Sequence, residues 1–332
     1  MYLDLFREKL VANAGSKQII SEFLQDELSL TKDGAYRRLR GETAFHFDEI
    51  AILANKFNIS LNEIVQPKSH SIGMKFYPLV LHNTDYFDIL NKSFDSLENV
   101  EAIASIKKVG MYYYGIRSLM YFNAVYFNKV VNGMGFEQDK FSVKHLQQKI
   151  GVIDHIRSLG LEIFYKYLNM PSVEIFGPNS FDNMLMRIKY AVDCGFFSSK
   201  EDALNICHDV RRIIEHLDLQ AAKGLKLDMD NQEKEKAPFT MYYYDESQLD
   251  NIILFNSEAG SKLLTILNMG DIMITEDVQM TERLKGYLQN ILKLSEKISG
   301  ENERGRNRVF SFYKNKLGDL EKYVEAGFHK HR

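Results

Sequence analysis

Residues that start and stop helices recur at short intervals through the first 65 positions, and this punctuation constrains the fold more than any other feature of the chain. Leu3, Leu5, Phe6 and Leu10 fall at helical spacing and predict a first amphipathic helix. Ser16 is placed to cap a second, with Ile19, Ile20, Phe23 and Leu24 on its apolar face. Leu28-Ser29-Leu30 breaks that pattern. Thr31 then offers a hydroxyl to the unpaired N–H groups of a third helix, Lys32 to Arg40, and Gly41 suits the left-handed residue that stops it. Ala35 and Leu39, four apart, face inward. A fourth helix runs from Phe47 to Phe57, with Asp48 and Glu49 at the positive end of its dipole and Asn58 tolerant of a left-handed end. Ser60 and Glu63 form a capping box for a fifth. Short helices with such marked ends predict a compact all-α domain over residues 1–66.

The third helix carries the chemistry. Residues 1–66 hold eight Lys and Arg against ten Asp and Glu. Lys32, Arg37, Arg38 and Arg40 nevertheless gather half of the positive charge into one nine-residue stretch. A short helix with a small residue turned inward and cations turned outward fits the major groove of double-stranded DNA. Arginine there can bond two acceptors of one guanine, while further cations hold phosphates. Tyr36, Arg37 and Arg38 are therefore the candidate base readers, and Lys32 and Arg40 the candidate phosphate contacts. Thr31, at the helix start, completes the DNA-binding set. The competing explanation is a solvated basic face on a packing helix; the short turn before this helix and the capped helices after it weigh against that.

Thr31 through Gly41, followed by Phe47-Asp48-Glu49-Ile50 and Asn58-Ile59-Ser60-Leu61-Asn62-Glu63-Ile64, resembles the phage-repressor (Xre/Cro-like) helix-turn-helix class. The resemblance covers about a fifth of the chain. It implies a lambda-repressor-like fold, a third helix that reads DNA, and a role in transcription regulation. The chain departs from the class at three points. Ser29 occupies a turn position where the class often has Gly. The recognition helix ends Arg38-Leu39-Arg40-Gly41 instead of apolar-Glu-Arg-Gly. The second helix has no clear counterpart of the class's phosphate-binding Gln, so that role is not carried over.

Residues 67–74 read as a short linker, and residues 75–332 as a mainly helical α+β domain with a small antiparallel sheet. Phe76 to Leu81 is a compact apolar-aromatic run that suits a strand. Tyr86 to Ile106 has helical periodicity, and Lys107 to Tyr114 reads as extended. Helices are expected over Arg117 to Val131, over Phe141 to Tyr167 with a break near Gly151, over Phe181 to Ala191, and from a Ser199 cap over Lys200 to Lys223. Met170-Pro171-Ser172 marks a stop, and Val173 to Phe176 begins a new unit. Asp228 to Lys236 is charged and poor in apolar residues, the composition of a disordered insertion. Met241 to Tyr244, Asn251 to Phe255 and Lys262 to Leu267 suggest an antiparallel meander. Two helices, near Gln279 to Ile298 and Asn302 to Val324, follow. The order of these pieces, with Pro171-Ser172-Val173-Glu174-Ile175-Phe176, Gln220-Ala221-Ala222-Lys223-Gly224 and Ile298-Ser299-Gly300 before Arg306-Asn307-Arg308, is similar to a family of uncharacterised Bacteroidetes-type regulators. That similarity implies a large C-terminal domain of unassigned role and supplies neither ligand nor catalytic residue.

Composition narrows the remaining classes. With 332 residues and 45% hydrophobic content, a sizeable core needs no disulfides or metals. The net charge of −3 neither favours nor excludes DNA, because a local patch suffices. Cys194 and Cys207 form no C-x-x-C pair and read as buried thiols in a reducing cytoplasm. The opening residues include Asp4 and no long apolar run, so neither a secretory leader nor a membrane partner is expected. Dinucleotide, Walker, zinc-protease and nucleophile-elbow motifs are missing, so neither cofactor nor catalysis is expected. His208 and His216 lie two helical turns apart, about 12 Å, too far to share a metal. Arg304, Arg306, Arg308, Lys314, Lys316, Lys322, Lys330 and Arg332 outnumber the acids of the last segment, which fits a solvated helix face better than a second DNA contact. The expected partners are DNA, a second copy in a homodimer, and a small-molecule or peptide effector held among the aromatic clusters Met111 to Tyr114, Tyr121-Phe122 and Met241 to Tyr244. The alternative class is a protein-interaction module whose helical C-terminal region recruits a partner.

Overall fold

A computed structural model of the chain describes residues 2–57, 59–65, 72–77, 101–106, 115–131, 133, 140–144, 152–229, 237–246, 251–257, 260–267 and 271–327. The chain divides into two compact units, Met1–Gly73 and Met74–Arg332. The linker expected over residues 67–74 lies mostly outside the described residues, as does Asn58.

The first unit is built from α1 (Tyr2–Ala14), α2 (Lys17–Leu28), α3 (Lys32–Arg40), α4 (Phe47–Lys56) and α5 (Leu61–Val65). Its core gathers the inward residues of each helix: Phe6 and Leu10, Ile20 and Leu24, Ala35 and Leu39, Leu53 and Ala54, and Ile64. Phe6 meets Phe45 edge-on, with ring centroids 5.9 Å apart. Fully burying a side chain such as Leu10 or Leu24 contributes about 1.5–3 kcal/mol, so a few of them outweigh any surface ion pair here. Ile19 differs from expectation and is exposed. It sits about 100° around the helix from Ile20, beyond the stripe that Ile20 and Leu24 share.

The second unit is mainly helical and carries one sheet of eight strands among the described residues, in the order β1-β7-β6-β5-β2-β3-β4-β8. The strands are β1 (Lys75–Tyr77), β2 (Glu101–Ile106), β3 (Ser172–Phe176), β4 (Phe239–Tyr243), β5 (Ile252–Ser257), β6 (Gly260–Leu267), β7 (Asp271–Thr275) and β8 (Glu296–Lys297). β5 and β6 pair antiparallel as expected, and β7, a strand not expected from the sequence, and β1 continue that antiparallel run. Two expectations fail around it. Glu101–Ile106, read as the end of a helix, is an inner strand, antiparallel to β5 and parallel to β3. β4, read as the meander's first strand, lies on the far side of β2 and β3 and runs parallel to β3, with Ser172 opposite Phe239. Parallel neighbours need a long crossover, and helices supply it. α6 (Arg117–Val131) and α7 (Val152–Leu168) separate β2 from β3; α8 (Asp182–Asp193) and α9 (Lys200–Lys223) separate β3 from β4. Phe141 joins an isolated bridge to Phe197 and does not start a helix.

Alternation along the strands assigns the layers. Phe176, Phe239, Met241 and Tyr243 join one core with α8, α9 and α11 (Glu303–Gly327). Ile175, Leu254 and Leu263 join another with Leu288 and Ile291 of α10 (Val278–Leu294). The first core also holds a polar knot. Glu174 is fully buried and accepts bonds from the Tyr167 hydroxyl at 2.5 Å and the Ser172 hydroxyl at 2.8 Å. Lys226, also fully buried, donates to the carbonyls of Tyr167 at 2.8 Å and Met170 at 2.6 Å, just past the end of α7. Its ammonium lies over the Tyr167 ring. Burial pushes the Lys226 ammonium down to about 7, against the pull of the Glu174 charge.

Candidate nucleic-acid interface

α3 is set by its two ends. α2 stops at Ser29, whose φ of 50° and ψ of 34° are left-handed. Only Ser29, Leu30 and Thr31 separate α2 from α3, so the chain turns sharply there. The Thr31 hydroxyl accepts the Gly34 N–H at 3.1 Å and caps the helix. That bond gives Thr31 a structural task beside the DNA contact expected of it. At the other end Gly41 takes a φ of 83°, and the Glu42 N–H reaches back to the Arg37 carbonyl at 2.9 Å.

With Ala35 and Leu39 buried, helical geometry turns Arg37 and Arg40 away from the core, while Lys32, on the Ala35 side of the helix, is left open because it is the first residue of α3. Lys32 is exposed and Tyr36 half-buried. The side chains of Arg37 and Arg40 are 53% and 47% exposed. Tyr36 lies four residues from both Lys32 and Arg40, so these three share one ridge.

Arg38 sits differently. Its side chain is only 13% exposed, and its Nε donates to Glu49 Oε2 at 2.8 Å. The same oxygen accepts the His46 N–H at 2.9 Å, at the start of α4. Burial raises the Glu49 carboxyl, but the bonds from Arg38 and His46 and their charges outweigh it and hold the carboxyl below the usual range. Arg38 thus braces α3 against α4, and reading a base would require it to leave that pair. The outward set is left as Lys32, Tyr36, Arg37 and Arg40.

Three residues that matter here were not singled out for these contacts from sequence. Arg7 of α1 donates through Nε to the Arg38 carbonyl at 3.1 Å and through Nη1 to Asp4 at 2.6 Å. A cation at a helix C-terminus favours the dipole there. Its guanidinium packs so closely on Gly41 that a Cβ at that position would lie 3.1 Å from Nη1. Glu49 was read only as a dipole residue. Glu42 was not read at all, and it holds Arg40 through both oxygens, at 2.5 Å and 3.1 Å, with Arg37 Nε at 3.7 Å. The bond from Arg40 lowers the Glu42 carboxyl, and the reciprocal bond raises Arg40. Chain distance hides the first two contacts; the i, i+2 spacing of Arg40 and Glu42 is visible in the sequence but has no significance until Gly41 bends the chain.

The second unit offers less for DNA. Arg306 and Lys314 pair with Asp218, Lys316 with Asp182, and Arg308 with Glu296. These ion pairs commit much of the C-terminal positive charge to the unit's own acids. Of the aromatic clusters proposed to hold an effector, Tyr121 and Phe122 are buried among Phe141, Phe196 and Phe197, with Phe122 stacked on Phe197 at 5.5 Å. Met241 and Tyr243 belong to the same core, and Met111 to Tyr114 lie outside the described residues. Cys207 is buried, and burial pushes its thiol up to about 12; Cys194 is only half-buried, contrary to expectation. His216 is buried against the Leu227 carbonyl at 3.1 Å. Among the described residues no group of His, Cys, Asp or Glu is arranged to hold a metal, and no helix is long and apolar enough to cross a membrane.

Comparison of the chain with protein-family models, with curated proteins and with solved structures finds no match in any of the three.

Proposed function

We propose that the first unit is a helix-turn-helix DNA-binding head, with α2 and α3 as its two central helices, and that the protein is a sequence-specific transcription regulator. The observation that carries this reading is α3 itself. It is capped at both ends, braced from behind by Arg7 and Glu49, and turns Lys32, Tyr36, Arg37 and Arg40 outward. Caps and left-handed stops serve helices of any role, as at Ser199 and Gly224 of α9; what weighs against a bare packing helix is the gathering of Lys32, Arg37 and Arg40 at exposed positions of one nine-residue helix. In this reading Arg37 and Tyr36 meet base edges, while Lys32 and Arg40 hold phosphates.

The test is selection of binding sites from a random duplex pool with the full chain, followed by anisotropy titrations on the selected site. Arg37→Ala is expected to weaken the selected site by about 1–3 kcal/mol and to relax preference at one position. Lys32→Ala is expected to weaken all sequences alike and to flatten the salt dependence by about one counterion. A pool that shows no enrichment would overturn the reading and favour a protein-interaction role. No observation among the described residues favours that role or an effector site over the DNA reading.

A further inference from the structure

Glu42 is an odd residue to find at the edge of a DNA-reading helix. Phosphate repels it, and it occupies the very donors that a phosphate or a guanine edge would take. Its side chain is 48% exposed, as are its partners to a similar degree, so the pairs add little to stability. Nor is it a loose surface contact. The left-handed Gly41 and the bond from the Glu42 N–H to the Arg37 carbonyl fix the backbone from which the carboxylate reaches. Both carboxylate oxygens face Arg40, in the same two-pronged geometry that arginine uses on phosphate and guanine.

We infer that Glu42 is a specificity-determining residue: an internal counter-ion that competes with DNA phosphate for Arg37 and Arg40. The inference rests on the DNA-binding reading above. Non-specific binding is almost wholly electrostatic, so a carboxylate on two of the outward cations subtracts from it directly. A duplex that offers only phosphates must displace Glu42 and then hold it nearby unpaired. A correct site offers base contacts that offset this cost. Discrimination thus comes from a built-in penalty on wrong sequence as well as from attraction to the right one.

The test compares the full-length parent, Glu42→Gln and Glu325→Gln on one duplex of arbitrary sequence, over a range of salt concentrations. Glu325 is exposed on α11 in the other unit, so its substitution makes the same change in net charge without touching the Glu42 pairs. Glu42→Gln is expected to bind about tenfold more tightly at low salt, with a slope steeper by about one counterion, while Glu325→Gln matches the parent. In an Arg40→Ala background the gain should shrink, because the principal clamped donor is gone. If the parent binds and Glu42→Gln binds no better, or if both substitutions strengthen binding alike, the inference is overturned and the DNA reading stands. If neither parent nor variant binds duplex DNA at low salt, the reading itself is overturned and the inference falls with it.

Discussion

Ser29 shows how a single residue records what the backbone demands. Among the described residues it is the one non-glycine whose φ is positive. For an L-residue that conformation costs about 1–2 kcal/mol, because Cβ crowds the following carbonyl. The tight passage from α2 to α3 requires it, and glycine meets the requirement without strain. Ser29→Gly also enlarges the freedom of the unfolded chain, which takes back about 0.5–1 kcal/mol. The net expectation is a modest gain, about 0.5 kcal/mol, seen as a higher urea midpoint for the first unit with an unchanged slope. A loss of stability would mean that the serine side chain makes contacts that repay the strain. The departure at Ser29 was visible in the sequence as a mismatch with the resembled class; only the backbone angles give it a physical cost.

At the scale of elements, α3 is held in place by its neighbours. Arg7 donates to the Arg38 carbonyl near its C-terminus, and Arg38 ties it to the start of α4 through Glu49. Because Glu49 is held below its ordinary range in the fold, its contribution is present above that range and is lost as pH falls through the folded value. Glu49→Gln is expected to cost about 2 kcal/mol near neutral pH, the scale of a charged hydrogen bond. The difference from the parent should close under acid, once the parent carboxyl is itself protonated; urea titrations followed by circular dichroism at several pH values would show it. A difference that stays constant down to acid pH would assign the effect to lost packing. The bounds of α3 and its inward pair Ala35 and Leu39 were legible because caps and periodicity are local. The brace was not, since Arg38 and Glu49 sit on different helices. The same limit explains the sheet. The short run Glu101–Ile106 suits either period, and its pairing with β3 and β5 decides the matter. β4 follows helices that carry the chain across to a parallel neighbour, so its place in the sheet depends on a crossover that no local pattern encodes.

For the whole molecule, the proposed function makes a demand that one head cannot meet. α3 is nine residues long, and its outward set of four side chains would reach only a few base pairs. A genome offers so many competing sites that so short a readout cannot select one. Two heads on half-sites about 34–36 Å apart, one turn of the duplex, double the readout and impose a two-fold symmetric site. The first unit, Met1–Gly73, is small for a large dimer interface beside a DNA surface, so the second, far larger unit is the proposed seat of dimerisation. The expected outcome is a particle of about twice the 38.5 kDa chain mass by light scattering at micromolar concentration, and a selected DNA site with two-fold symmetry. Weakening one half-site should then also lower occupancy of the intact one, because each head raises the effective concentration of the other, whereas independent heads would leave the intact half-site unchanged. A particle of single-chain mass, both alone and on DNA, would instead require the selectivity to come from contacts beyond α3.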